Sequence, residues 1–208
     1  MNYFKFLLII LLTYQTSNSQ TNISDPIYIK TVILKPASTN SYNSFIRLGE
    51  KITLSFDDLN ADEYDYSYKI EHCDMNWELS NLMESEFIDG YAEERIRNYE
   101  NSFNTLQPYT HYKVVLPNEN TRLKISGNYI ISILDENSDV VFKRKFVVYR
   151  PQVRVGVAIF KSRDISYLNT KQAVEFTINH PNLLINNPSE EIFPVIIQNG
   201  NWQTAIKG

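Results

Sequence analysis

An all-β protein of immunoglobulin- or fibronectin-like antiparallel sandwich type is the fold class the sequence predicts, and three observations predict it. Strand-like runs rich in β-branched and aromatic residues recur every ~10–15 residues with no sustained helical period between them. In Lys51-Ile52-Thr53-Leu54-Ser55-Phe56, apolar and polar residues alternate strictly, as they do in an antiparallel strand with one wet face. The runs at residues 129–134 and 140–149 flank the turn Asp135-Glu136-Asn137-Ser138 and read as a hairpin.

The elements follow in order. Residues 27–34 are rich in β-branched residues and stop at Lys35-Pro36, giving a first strand. Phe45-Ile46-Arg47-Leu48 leads through Gly49-Glu50 into the alternating run, and an acidic turn at residues 57–63 follows. From Tyr64 to His72, the period of two sends Tyr64, Tyr66, Tyr68, Ile70 and His72 to one face, which reads as a tyrosine-lined core face. The pattern weakens from Asp74 to Glu100, where residues 93–96 suggest a short helical turn and Asn76-Trp77 and Asp89-Gly90 suggest turns. Strands are expected again at residues 110–116, 122–125, 129–134 and 140–149. Pro151 then interrupts, and further strands at residues 153–160, 172–179 and 192–198 read as the start of a second β-rich domain over residues 151–208. The run from Trp202 looks like the opening of another strand, so the chain is expected to continue beyond Gly208.

Composition sets the class and the address. The 208 residues are 43% hydrophobic and 21% charged, with six Gly and eight Pro, a globular balance. Lys5 precedes the apolar run Phe6-Leu7-Leu8-Ile9-Ile10-Leu11-Leu12, and the small residues Ser17 and Ser19 are spaced for a signal peptidase. Residues 1–19 therefore read as a secretory signal, because the run falls far short of the ~20 apolar residues a membrane-spanning helix needs. The first sandwich domain is then expected over residues 20–150. The net charge of −4 and the lack of a long Lys/Arg run argue against a nucleic-acid partner. Cys73 is the only cysteine, so no internal disulfide can form, and a buried, inert thiol is expected.

Catalytic chemistry finds no motif. Asp58-x-Asn60-x-Asp62 and Asp135-x-Asn137-x-Asp139 begin like calcium loops, yet each lacks Gly at the sixth position and Glu at the twelfth, so both read as acidic turns. His72 and Cys73 are adjacent strand residues, point to opposite faces and cannot share a metal ion. His111 and His180 supply no second pair at ligand spacing, and neither a nucleophile elbow nor a phosphate loop occurs. The reading is a non-enzymatic protein that needs no cofactor or metal. Trp77, Phe87, Tyr91, Tyr99 and Phe103 lie in the irregular stretch and are the candidate partner anchors, since loop aromatics are typical of interfaces. The same residues could stack on sugar rings, which leaves a secreted carbohydrate-binding or adhesion module as the alternative.

Particular residues also carry a resemblance. Phe56-Asp57-Asp58-Leu59, Tyr68-Lys69-Ile70-Glu71-His72-Cys73-Asp74 with Trp77, Phe87-Ile88-Asp89-Gly90, Ser102-Phe103-Asn104-Thr105, Tyr109-Thr110-His111-Tyr112, Leu116-Pro117-Asn118-Glu119 and Ser126-Gly127-Asn128-Tyr129 occur in one order. Together they resemble the first domain of the type IX secretion system plug protein family of Bacteroidota, from about Ile29 to Tyr149. Beyond Pro151 the likeness thins, with Lys171-Gln172 where the family suggests His-Gln. The resemblance implies a periplasmic protein at the inner face of the outer membrane. Its partner would be the large outer-membrane β-barrel translocon, whose periplasmic opening it would close when no substrate passes, with no membrane insertion of the mature chain.

Overall fold

The computed structural model describes residues 25–39, 43–198 and 200–207. The expected signal at residues 1–19 lies outside them. Strands β1 (Ile29–Pro36), β2 (Phe45–Arg47), β3 (Ile52–Asp58) and β4 (Ser67–Cys73) come first. A single helical turn, α1 (Glu84–Phe87), leads into β5 (Ile88–Gly90), β6 (Glu93–Arg95) and β7 (Tyr99–Asn101). Then follow β8 (Thr110–Leu116), β9 (Thr121–Leu123), β10 (Gly127–Leu134) and β11 (Val140–Tyr149).

Nine of these strands form two facing sheets, a four-stranded one in the order β1-β3-β8-β7 and a five-stranded one in the order β2-β11-β10-β4-β6, while β5 and β9 pair separately. That is the immunoglobulin order, A-B-E-D over G-F-C, with β6 added beyond strand C and β2 beside strand G. All pairings are antiparallel except β2 with β11, which runs parallel from Phe45↔Val147 to Arg47↔Tyr149. The all-β fold class and the hairpin at residues 129–149 are as the sequence predicts.

The core forms because the alternation holds on both sheets. Ile52, Leu54 and Phe56 on β3, with Tyr112, Val114 and Leu116 on β8, turn inward from one side. Tyr68 and Ile70 on β4, Ile131 and Ile133 on β10, and Phe142 and Phe146 on β11 meet them from the other. Phe56 sits at the centre, stacked on Tyr112 at 5.1 Å and edge-on to Phe142 at 5.1 Å. Burying each such ring stabilises the fold by roughly 1.5–3 kcal/mol before any cavity effect. Tyr129 near the start of β10 donates its hydroxyl to Ile125 O at 2.9 Å, the tyrosine corner of immunoglobulin-like sandwiches. Gly127 beside it is required by proximity, because a Cβ there would lie 2.2 Å from His72 Nε2.

One expectation fails within the irregular stretch. Residues 93–96 form no helical turn; they are the edge strand β6 and its exit. Ile70 N donates to Ala92 O at 2.7 Å and Ile96 N to Tyr66 O at 2.8 Å, so β4 supplies the backbone partners a helix would have found internally. Ala92 and Ile96 are buried by that pairing. Asp89-Gly90, expected as a turn, lies in β5, which pairs with β9; Gly90 sits at φ +102° with Asn120 O where a Cβ would go.

After Tyr149 the chain forms β12 (Arg154–Lys161), β13 (Gln172–Asn179), the helical turn α2 (Pro188–Glu191), β14 (Val195–Ile196) and β15 (Ile206–Lys207). The first two pair antiparallel, as do the last two. In the β12–β13 hairpin, Val155, Val157 and Ile159 lie opposite Ile178, Phe176 and Val174 and so share one apolar face. Trp202 returns to the first sandwich, stacking on Phe45 at 5.7 Å and meeting Trp77 edge-on at 4.7 Å. Lys207 donates to Asn76 Oδ1 at 3.1 Å beside it. No helix among the described residues is long and apolar enough to cross a membrane.

Candidate functional site

Strand register decides which loops meet. Ile29 pairs with Asp58, Asp58 with Thr110, and Ser67 with Leu134. The lead into β1, the β3–β4 loop (residues 59–66), the β7–β8 loop (residues 102–109) and the β10–β11 turn (residues 135–139) therefore converge at one end of the sandwich. Hydrogen bonds join them. Leu59 N donates to Tyr28 O at 2.9 Å, and Gln107 Nε2 donates to Leu59 O at 3.2 Å. Glu63 accepts Tyr99 Oη at 2.8 Å and Asn101 Nδ2 at 2.7 Å, and these bonds hold its carboxyl below the usual value.

The end is acidic. Its three loops carry Asp62, Glu63, Asp65, Asp135, Glu136 and Asp139 and neither Lys nor Arg. Two of the acids that looked like calcium ligands build the turns instead. Asp135 Oδ1 accepts Asn137 N and Asp139 N at 2.9 Å each, letting Ser138 take φ +65°. Asp58 is fully buried and accepts Tyr66 Oη at 2.8 Å and Asn60 N at 2.9 Å. Between them lies a cleft of about 220 Å³ lined by Tyr28, Tyr64, Tyr66, Asp135 and Glu136. Burial, then the charges of Asp58 and Asp135, push the Tyr28 hydroxyl up from its ordinary value, so that ring presents a neutral face.

Apolar side chains project from the same end. Phe103 is 94% exposed and Leu106 fully so, both on the β7–β8 tip. The tip is nonetheless built. Ser102 Oγ accepts Tyr109 N at 2.9 Å, Thr105 Oγ1 donates to Gln107 O at 2.9 Å, and Asn104 takes φ +56° to make the bend. A bend fixed by its own bonds loses little freedom when something covers it, which favours binding.

Of the candidate anchors, only Tyr99 and Phe103 lie here. Tyr91 is 68% exposed on another face, its N–H donating to Asn120 O. Phe87 is buried against His72 and Tyr129 and contributes to the core. Trp77 is 7% exposed, covered by Trp202 and by Lys145, whose Nζ stands 4.8 Å above its ring. Sequence reasoning missed Leu106 and Tyr28, and placed Tyr64 with Tyr66 and Tyr68 in the core although Tyr64 is 41% exposed. Leu106 carried one usable signal, an apolar residue set between Thr105 and Gln107-Pro108.

Elsewhere the reactive residue types are spoken for. His72 Nδ1 lies 2.9 Å from Ser80 Oγ, and burial lowers its pKa. Cys73 is buried, and burial pushes its thiol up to about 11, far from nucleophilic. Among the described residues, no three His, Cys, Asp or Glu side chains gather in a way that could hold a metal ion.

An all-β, immunoglobulin-like sandwich with an acidic, aromatic loop end is thus the class of protein that fold and site define. Residues 29–150 match the type 9 secretion system plug protein 1st domain, and the chain belongs to that family. The matched model describes the first domain of that family's proteins. The crystal structure of a hypothetical protein from Parabacteroides merdae is similar over 88% of this chain, with a TM-score of 0.83 and 29% identity. The chain spans 47% of that protein, about half its length. A DNA glycosylase from Pseudomonas fluorescens, bound to DNA containing an abasic site analogue, aligns over 63% of this chain and 33% of its own, at 12% identity and a TM-score of 0.32, too low to carry an argument. No curated protein matches.

Proposed function

We propose that this protein is a non-enzymatic periplasmic plug, docking on the periplasmic opening of the type IX outer-membrane barrel and sealing it when no substrate passes. The observation that carries this reading is the family match over residues 29–150. Barrel diameter grows with strand number, and a barrel wide enough for folded cargo leaks small solutes unless a detachable body covers it. A rigid sandwich with a limited, largely polar loop end suits an interface that must form and release.

The plug reading carries an organisation with it. Residues 1–19 are a removed signal, the first domain ends at Arg150, and residues 151–208 begin a second β-rich domain. In support, β1 to β11 pair only among themselves, and β12 to β15 only with one another. Tyr99 and Phe103 are the anchors of the original five that the loop end retains.

The test is a pair of measurements in the native cell. Full-length protein tagged at its C-terminus, recovered after gentle solubilisation of the outer membrane, should bring down one very large barrel in near-equal amount. Deleting the gene should make the outer membrane leakier to large antibiotics only while the translocon is present. Equal leakage without the translocon would sink the mechanism, and recovery of free monomer even after crosslinking would favour the glycan-binding alternative.

A further inference from the structure

Resting on the plug reading, we propose that the sandwich docks through the end formed by the β3–β4, β7–β8 and β10–β11 loops. Phe103 and Leu106 would enter an apolar socket on a partner protein surface whose rim is rich in Lys and Arg. The cleft between Tyr28, Tyr64, Asp135 and Glu136 would receive one of those basic side chains.

Three observations converge on this end. The first is exposure without disorder: two large apolar side chains stand free on a tip whose bend is held by Ser102, Thr105 and Gln107. Scattered exposed apolar residues are ordinary, but two at the apex of one bonded loop form an anchor. The second is charge. Of the six carboxylates in the three loops, Asp65 pairs with Arg95 of β6, and the other five set a net negative field around that anchor, which attracts a basic surface and repels an acidic one. The third is the cleft, where aromatic faces meet two carboxylates. That pairing suits an ammonium or guanidinium group, drawn by the rings and neutralised by the acids.

Among the described residues the β12–β13 hairpin also exposes apolar side chains, Val155, Val157, Ile159 and Phe176, but on a sheet face rather than on a bonded loop tip. The corner around Trp77 is already covered by Trp202 and Lys145, and the cleft near Asn98, Asn118 and Lys113 mixes both signs of charge. The fold points the same way by analogy, since B–C and F–G loops at this end of a sandwich serve variable domains in binding.

The test uses the full-length tagged protein in its own cell and reads the amount of barrel recovered. Phe103→Ser combined with Leu106→Ser should lower recovery on the order of 30-fold, the scale of lost interface anchors. Asp62→Asn, Glu136→Gln and Asp139→Asn together should slow association with the solubilised barrel and flatten its dependence on salt. Tyr91→Ser, on another face, should recover barrel as the unaltered protein does. All the replaced side chains are exposed, and unchanged melting temperatures establish that the variants fold.

Full recovery by the Phe103/Leu106 variant, or loss caused by Tyr91→Ser instead, overturns the assignment. So does an altered self-association of the Phe103/Leu106 variant with barrel recovery intact, which would make the occupant a second copy. If the unaltered protein recovers no barrel, the plug reading falls and takes this partner assignment with it.

Discussion

Two regions of this sandwich hold exposed-type aromatic residues in irregular chain, and they meet opposite fates. At the corner where β4 ends, Trp77 takes a left-handed backbone, φ +68°, and is covered by Trp202 from more than a hundred residues away. At the loop end, Phe103 and Leu106 sit on an equally ordered bend and nothing in the chain's described residues covers them. The charge around them differs as well. Lys143 and Lys145 influence the first region, and burial lowers the pKa of Lys145 there. The second region is dominated by acids, with Arg95 of β6 pairing one of them, Asp65. The lesson is that aromatic loop composition marks a surface that must be covered, while only the fold tells whether the chain covers it or leaves it for another molecule. Trp77 illustrates the cost, since a bulky residue in that backbone region is strained by about 1–3 kcal/mol, held in place by the packing on its ring.

Both regions rest on the same core. Phe56→Ala empties the centre of the core between Tyr112 and Phe142 and should cost about 3–5 kcal/mol in chemical denaturation. A smaller loss would mean that the two sheets pack less intimately than described. Gly90→Ala should cost roughly 1–3 kcal/mol, because the new methyl meets Asn120 O and the backbone cannot keep φ +102° without strain.

Next comes the covered corner. Trp77 and Trp202 are the only tryptophans, so intrinsic fluorescence reads this corner directly. Trp202→Ala should red-shift the emission of Trp77 and cost on the order of 1–2 kcal/mol, by loss of buried aromatic area. An unmoved Trp77 spectrum would show that Trp202 does not shield it. Phe103→Ser, by contrast, should leave both the spectrum and the stability unchanged to within about 0.5 kcal/mol.

The smallest effect is a pH dependence. Burial depresses the His72 pKa below 6.5, so the folded state favours neutral imidazole. As pH falls through about 6.5, the unfolded chain takes up the proton first. His72 therefore supports the fold fully above that value, and stability drops below it until the folded state protonates too. His72→Gln, which keeps a partner for Ser80, should lose less stability than the unaltered protein between pH 7.5 and pH 5.5. Equal losses would assign the acid sensitivity to other groups.

Much of this fold was readable from residue pattern because its long strands are locally consistent. The predicted span of residues 140–149 coincides with β11 and that of residues 172–179 with β13, since alternation and turn residues agree there. The short strands were not readable. β2 has three residues and is defined by a parallel partner a hundred positions later; β6 is polar enough to pass for a helical turn until β4 lies beside it. The loop end was half legible. Its acids and Phe103 stand plainly in the sequence, but Phe87 and Phe103 read alike, and burial of one and exposure of the other depends on tertiary placement. Tyr64 misled for a related reason: the period of two continues through Tyr66, while the strand itself begins only at Ser67.

The most direct test of the central claim replaces single residues of the full-length protein, in its own cell, with a photocrosslinking phenylalanine analogue. Placed at Phe103, it should crosslink to the large outer-membrane barrel; placed at Tyr91, on a different face, it should not. Crosslinks from Tyr91 and none from Phe103 would move the docking surface away from the acidic loop end.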